Sequence, residues 1–159
     1  EGYGGTDLIE KVNHLLMEHG QMGTMATLAV AEIELGEGRL VLANAGHCPA
    51  LLIHPDRRLE ELLAGSPPMG SHLCSPTSLK SPFLAESRLV LYSDGLVEAV
   101  SPDGEPFGYD RLEEVVDAAA DRSGPGLTKA ILDALAAHAD GVPAADDLTI
   151  LILERNSPN

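Results

Sequence analysis

The sequence predicts an α+β fold, on three observations. Three stretches carry apolar residues at helical spacing. Short apolar runs between Gly-, Pro- and Asp-bearing turns read as antiparallel strands. Two of those runs, near residues 88–93 and 146–154, are apolar on both faces, the pattern of strands held between a sheet layer and helices.

Residues 7–19 (DLIEKVNHLLMEH) place Leu8, Val12, Leu15 and Leu16 at helical spacing, with Thr6 as the cap. Residues 24–35 turn at Gly36-Glu37-Gly38 into residues 39–45 (RLVLANA), a hairpin signal. A third strand over 50–53 follows Gly46-His47-Cys48-Pro49, and Pro55-Asp56-Arg57-Arg58 turns into a fourth over 59–63. Across 64–87 half of the residues are Ser, Pro or Gly, which reads as a long surface loop, a flap over a site. Then comes the strand 88–93, followed by helices over 109–120 and 127–139 split by Ser123-Gly124-Pro125-Gly126. The strand 146–154 (DDLTILILE) closes the chain. With no internal repeat, residues 1–159 read as a single domain.

The composition limits the function classes. Lys plus Arg number 10 against 25 Asp plus Glu, a formal charge of -15, which repels nucleic acid and anionic lipid alike. Aromatics are 3% and Trp is absent, so the core is aliphatic and nothing offers a base-stacking platform. No apolar run approaches a membrane span, and membrane contact is not expected. Cys48 and Cys74 are too few for a disulfide framework, which fits a reducing cytoplasm. The chain begins Glu1-Gly2-Tyr3-Gly4-Gly5 without Met and reads as an excised piece of a longer protein.

The stretch LVLYSDGLVEA at 89–99 delivers an acid, Asp94, to the tip of an apolar strand and follows it with Gly95. The closing strand starts with two more acids, Asp146 and Asp147. If these strands are antiparallel neighbours, the carboxylates meet at one edge of the sheet, an arrangement that suits hard cations such as magnesium or manganese. The plain alternative is that they are solvated turn residues, since Asp-Gly is a common turn dipeptide.

Four blocks in order decide between these readings: NAGHCPALL at 44–52, LVLYSDGLVEA at 89–99, FGYDRL at 107–112 and DDLTILIL at 146–153. Together they resemble the bacterial sporulation-protein-E-like serine/threonine phosphatases of the metal-dependent PPM superfamily. The resemblance implies a β-sandwich of mainly antiparallel sheets flanked by helices, N-terminally incomplete here. It makes Asp94 and Asp146 metal ligands for two Mn2+ or Mg2+ ions, with Asp147 supporting and Gly95 allowing a tight backbone at the metal edge. No side chain attacks: a metal-activated water hydrolyses phosphoserine or phosphothreonine on a regulatory protein, such as an anti-sigma-factor antagonist. Metals would also present a positive face to phosphate despite the overall charge.

The sequence departs from the family in one respect that bears on activity. The family's first metal block, an Asp-Gly-x-Gly-His-Gly-like stretch near the start of the domain, has no counterpart, and Asp7 runs into a helix instead. Ala85-Glu86-Ser87 replaces the usual Pro-Gly-Asp, a turn variation. The chain alone is therefore expected to bind metal weakly and to be inactive or weakly active. The alternative function is a non-catalytic PPM-fold module that binds a partner. Loss of the first strands would expose a sheet edge, so a homodimer or swapped assembly is expected.

Other residues carry plainer expectations. Asn44, Gly46 and His47 read as a strand-ending framework turn, with the His47 ring bonded to backbone and Gly46 in a conformation closed to other residues. His47, Cys48, His72 and Cys74 lack zinc-site spacing. Glu98 caps or solvates a short helical turn. Arg57, Arg58 and Lys80 are solvated cations outside the site. Phe107 anchors a turn, and Gly108 lets the following helix start close to the sheet.

Overall fold

The computed structural model describes residues 4–21 and 23–157. In chain order its elements are α1 (Gly5–His19), β1 (Leu28–Glu34), β2 (Arg39–Ala45), β3 (Ala50–Ile53), β4 (Leu59–Leu62), β5 (Thr77–Pro82), β6 (Arg88–Tyr92), α2 (Asp94–Val97), α3 (Tyr109–Ala118), α4 (Gly124–Ala139) and β7 (Ile150–Glu154). Two antiparallel sheets with helices make an α+β fold, as expected; their strand orders are β1-β2-β5 and β4-β3-β6-β7. The chain groups into two compact units, one of residues 1–49 and 62–84, the other of residues 50–61 and 85–159.

In the first unit β1 and β2 form the expected hairpin, in register from Leu28↔Ala45 to Glu34↔Arg39. Arg39 closes it with ion pairs to Glu34 at 2.6 Å and Glu37 at 3.0 Å. The helix α1 packs on this sheet, and its buried stripe is Ile9, Val12 and Leu16, against Ala43, Ala45 and Met69. The predicted stripe is thus corrected in part: Val12 and Leu16 lie on the inner face, but Leu8 and Leu15 are 43% and 54% exposed and Ile9 is the fully buried residue. Nor does Thr6 cap α1. The cap position is Gly4, without a side-chain bond, and the Glu32 carboxylate on β1 accepts the Gly5 N–H instead.

The segment 64–87 is not one loop. Residues 77–82 form β5, which pairs with β2 from Arg39↔Pro82 to Asn44↔Thr77. Its inward positions, Leu79, Ser81 and the following Phe83, alternate with exposed Ser78, Lys80 and Pro82. A short polar edge strand ending in Pro carries little of the hydrophobic signal by which strands are recognised.

The second unit holds the other sheet. Strand β6 is central, paired with β3 (Leu51↔Val90) and β7 (Val90↔Ile152), and Leu89, Val90 and Tyr92 on it are buried. Leu112 and Val116 of α3, and Leu127 and Ile131 of α4, are buried at the i, i+4 spacing that marks the inner face of each helix. Strand β7 begins at Ile150, not at residue 146, and lies at the edge of its sheet with Leu151 49% exposed. Its apolar residues on both faces predict an enclosed strand; α4 packs against it, but its outer edge has no strand partner among the described residues.

Candidate metal-binding edge

The antiparallel pairing of β6 with β7 brings the end of one to the start of the other, with Tyr92 opposite Ile150. One more main-chain bond, from Ser93 N–H to the Thr149 carbonyl at 3.1 Å, carries the pairing outward. Asp94 on one side and Asp146 and Asp147 on the other therefore stand at the same end of the sheet, as the antiparallel reading requires, and all three are exposed.

Their backbone is fixed from beneath. The Ser93 hydroxyl donates to the Asp147 carbonyl at 3.0 Å and accepts the Thr149 N–H at 2.9 Å. It stitches the approach to β7 onto the strand that carries Asp94. Nothing in the sequence pattern assigns Ser93 this role beyond its being a small hydroxyl residue just before the acid. Behind Asp94, α2 is a single turn seated on buried Leu96 and Val97 and closed by Glu98 N–H to the Asp94 carbonyl at 2.9 Å. Glu98 thus ends the turn through its main chain.

The role of Gly95 is visible in its surroundings. A Cβ built there would lie 2.6 Å from the Asp147 carbonyl oxygen, a separation that van der Waals contact forbids. Glycine at 95 is what lets the main chain at 146–147 pass this close. Each neighbouring carboxylate is steadied by its own backbone: Asp94 Oδ1 accepts Gly95 N–H at 3.0 Å, and Asp146 Oδ1 accepts Asp147 N–H at 2.7 Å. These bonds orient the carboxylates and leave them at the surface.

As donors, these groups are hard oxygens, the kind magnesium and manganese take. An ion of that type is commonly held by one or two carboxylates while keeping several waters. Among the described residues no cluster of three or more His, Cys, Asp or Glu side chains is arranged to hold a metal. The described residues thus form no all-protein cage, and an ion at this edge would have to keep most of its waters. Neither Cys48 nor Cys74 is in a disulfide.

The turn at residues 44–48, in the first unit, is built differently. Asn44 is 1% exposed, and its amide donates to the His47 carbonyl at 3.0 Å and the Cys48 carbonyl at 3.4 Å. Its Oδ1 accepts the His47 N–H at 2.8 Å. Gly46 sits at φ 68°, and a Cβ there would lie 2.5 Å from Pro68. The His47 ring meets the Thr27 hydroxyl at 3.2 Å, a side chain where a backbone partner was expected. Arg57 and Arg58 follow β3 and so lie at the opposite end of their sheet from Asp94, outside this edge.

The stage II sporulation protein E (SpoIIE) family profile matches residues 1–156. Protein IcfG of Synechocystis sp. is 30% identical over 145 residues, which cover 91% of this chain but only 23% of that protein. Among solved structures, the SiaA-PP2C domain of Pseudomonas aeruginosa superposes with a TM-score of 0.84 at 17% identity, over 95% of this chain and 61% of that one. The phosphatase domain of the cell fate determinant SpoIIE from Bacillus subtilis, presoaked with manganese, gives a TM-score of 0.67 at 11% identity, over 100% of this chain and 78% of that one.

Proposed function

The chain belongs to the stage II sporulation protein E family, and from that premise we propose that it is a metal-dependent serine/threonine phosphatase domain whose metal edge is Asp94 and Asp146. The observation that supports this reading is the placement of exposed acids at one end of β6 and β7, over a backbone that Ser93 and Gly95 hold in place.

When bound, manganese or magnesium would neutralise phosphate charge and acidify a water toward nucleophilic strength at neutral pH. The chain's own residues hold and orient. Asp94 and Asp146 would supply ligand oxygens, each steadied by a neighbouring main-chain N–H. Ser93 keeps the two segments in register, and Gly95 keeps them close. Asp147 supports through its carbonyl, which accepts the Ser93 hydroxyl. Two carboxylates would leave most of an ion's coordination open to water and substrate. The substrate class is a phosphorylated regulatory protein, an anti-sigma-factor antagonist being the kind the family resemblance implies, and the compartment is the cytoplasm. No described helix is long and apolar enough to cross a membrane.

A second reading, a non-catalytic module of the same fold that binds a partner, draws on the absence of a three-ligand cluster among the described residues. Phosphate release from a small aryl phosphate separates the two. Turnover with manganese, abolished by chelator and lowered about a hundredfold or more by Asp94→Asn, is expected of the enzyme. No turnover with either metal supports the binding module, and turnover indifferent to chelator and to Asp94→Asn contradicts the assigned edge.

A further inference from the structure

At the other end of the same four-stranded sheet a polar cleft of about 330 Å3 opens where β3 and β7 end and β6 begins. Five strand residues at about 3.3 Å each put it roughly 15 Å from the carboxylate edge. Four arginines line it, Arg57, Arg88, Arg122 and Arg155. In a chain with 10 Lys and Arg in all and a net charge of -15, that is a local concentration of cations.

Three of those guanidiniums lack a carboxylate partner among the described residues: Arg57, Arg88 and Arg122. Arg88 is 7% exposed, and it donates to the main-chain carbonyls of Ala120 and Arg122 beyond the end of α3. A buried cation is ordinarily neutralised by an anion; here carbonyl dipoles satisfy the hydrogen bonds but leave the charge uncompensated. The acids of the cleft do not cancel it. Glu154 accepts the Gly124 N–H of α4 at 3.2 Å, Glu86 accepts the Ser157 hydroxyl at 2.9 Å, and Asp121 makes no ion pair with an arginine. Arg57, Arg88 and Arg122 thus share the cleft with three carboxylates, none of which is ion-paired to them. Two of the three non-glycine residues described with positive φ, Arg57 at 70° and Glu86 at 69°, are among its lining residues.

We propose that this cleft is a phosphate-binding site, distinct from the carboxylate edge and independent of the phosphatase reading, that takes a small phosphate-bearing solute. Guanidinium forks match the geometry and charge of phosphate oxygens, and a volume of about 330 Å3 is at the small end of ligand pockets.

The test is binding of inorganic phosphate by calorimetry and thermal shift, in chelator so that a metal edge contributes nothing, against chloride at matched ionic strength. Phosphate is expected to bind and to raise the melting temperature, and Arg57→Ala and Arg122→Ala are each expected to weaken binding at least tenfold. Both positions are exposed, so these variants keep the fold; Arg88 is left intact because it holds the carbonyls beyond α3. An absence of binding beyond the chloride control overturns the proposal. So does phosphate binding that both variants retain at full strength.

Discussion

The turn at residues 44–48 and the strand end at residues 93–95 use the same materials, a polar side chain and a glycine, to opposite ends. In the turn the polar groups are consumed. Asn44 is buried with three hydrogen bonds to main chain, and Gly46 occupies a left-handed conformation against Pro68. At the strand end the backbone is equally constrained, but Asp94 and Asp146 keep their carboxylates at the surface, each bonded only to the next residue's N–H in the bonds described above. A polar group that is buried and satisfied is framework, whereas a charged group held firmly at the surface is free to meet a ligand.

The largest effect expected from breaking this comparison is at Gly46. Alanine there meets both a positive φ and Pro68, and should lower stability by about 3 kcal/mol or more, read as the loss in chemical denaturation. Next is Asn44→Ala, which removes three hydrogen bonds of a buried side chain from the turn and should cost about 2 kcal/mol by the same measurement. Gly95→Ala sharpens the contrast. Its Cβ would push the main chain at 146–147 away, costing about 1–2 kcal/mol and weakening manganese affinity more than its stability loss explains, as titration would read.

The smallest effect lies on α3. Burial, reinforced by the charges of Glu61 and Asp110, raises the Glu113 pKa above its ordinary value. The folded state therefore holds that proton more tightly than the unfolded chain, and stability falls as pH rises through the raised pKa. Glu113→Gln should stabilise at pH 7 by a few tenths of a kcal/mol after solvent screening. The advantage should fade once pH drops below about 4, where both states are protonated. Denaturation midpoints at the two pH values check it.

Much of this arrangement was legible in the residues. Strands β2 and β3 matched their predicted bounds because both are bounded by turn residues, Gly36-Glu37-Gly38 before one and Pro55-Asp56 after the other. That Asp94 stands at the same end of the sheet as Asp146 and Asp147 followed from two apolar strands and one assumption about their direction. What hid from the sequence was set by tertiary context. Pairing with β2 makes β5 a strand despite Ser78, Ser81 and Pro82. Packing against Ala43 and Ala45 chose Ile9 over Leu8 as the inner residue of α1. The arginine cleft gathers residues from four separate segments, so no spacing along the chain announces it.

The central claim is that the end of β6 and the start of β7 form a metal edge. Paramagnetic broadening of amide signals by substoichiometric manganese tests it most directly, because it locates the ion without requiring turnover. Broadening centred on residues 93–96 and 146–149, relieved by chelator and lost in Asp94→Asn and Asp146→Asn, is the predicted result. Broadening centred elsewhere, or unchanged in both variants, would contradict the account.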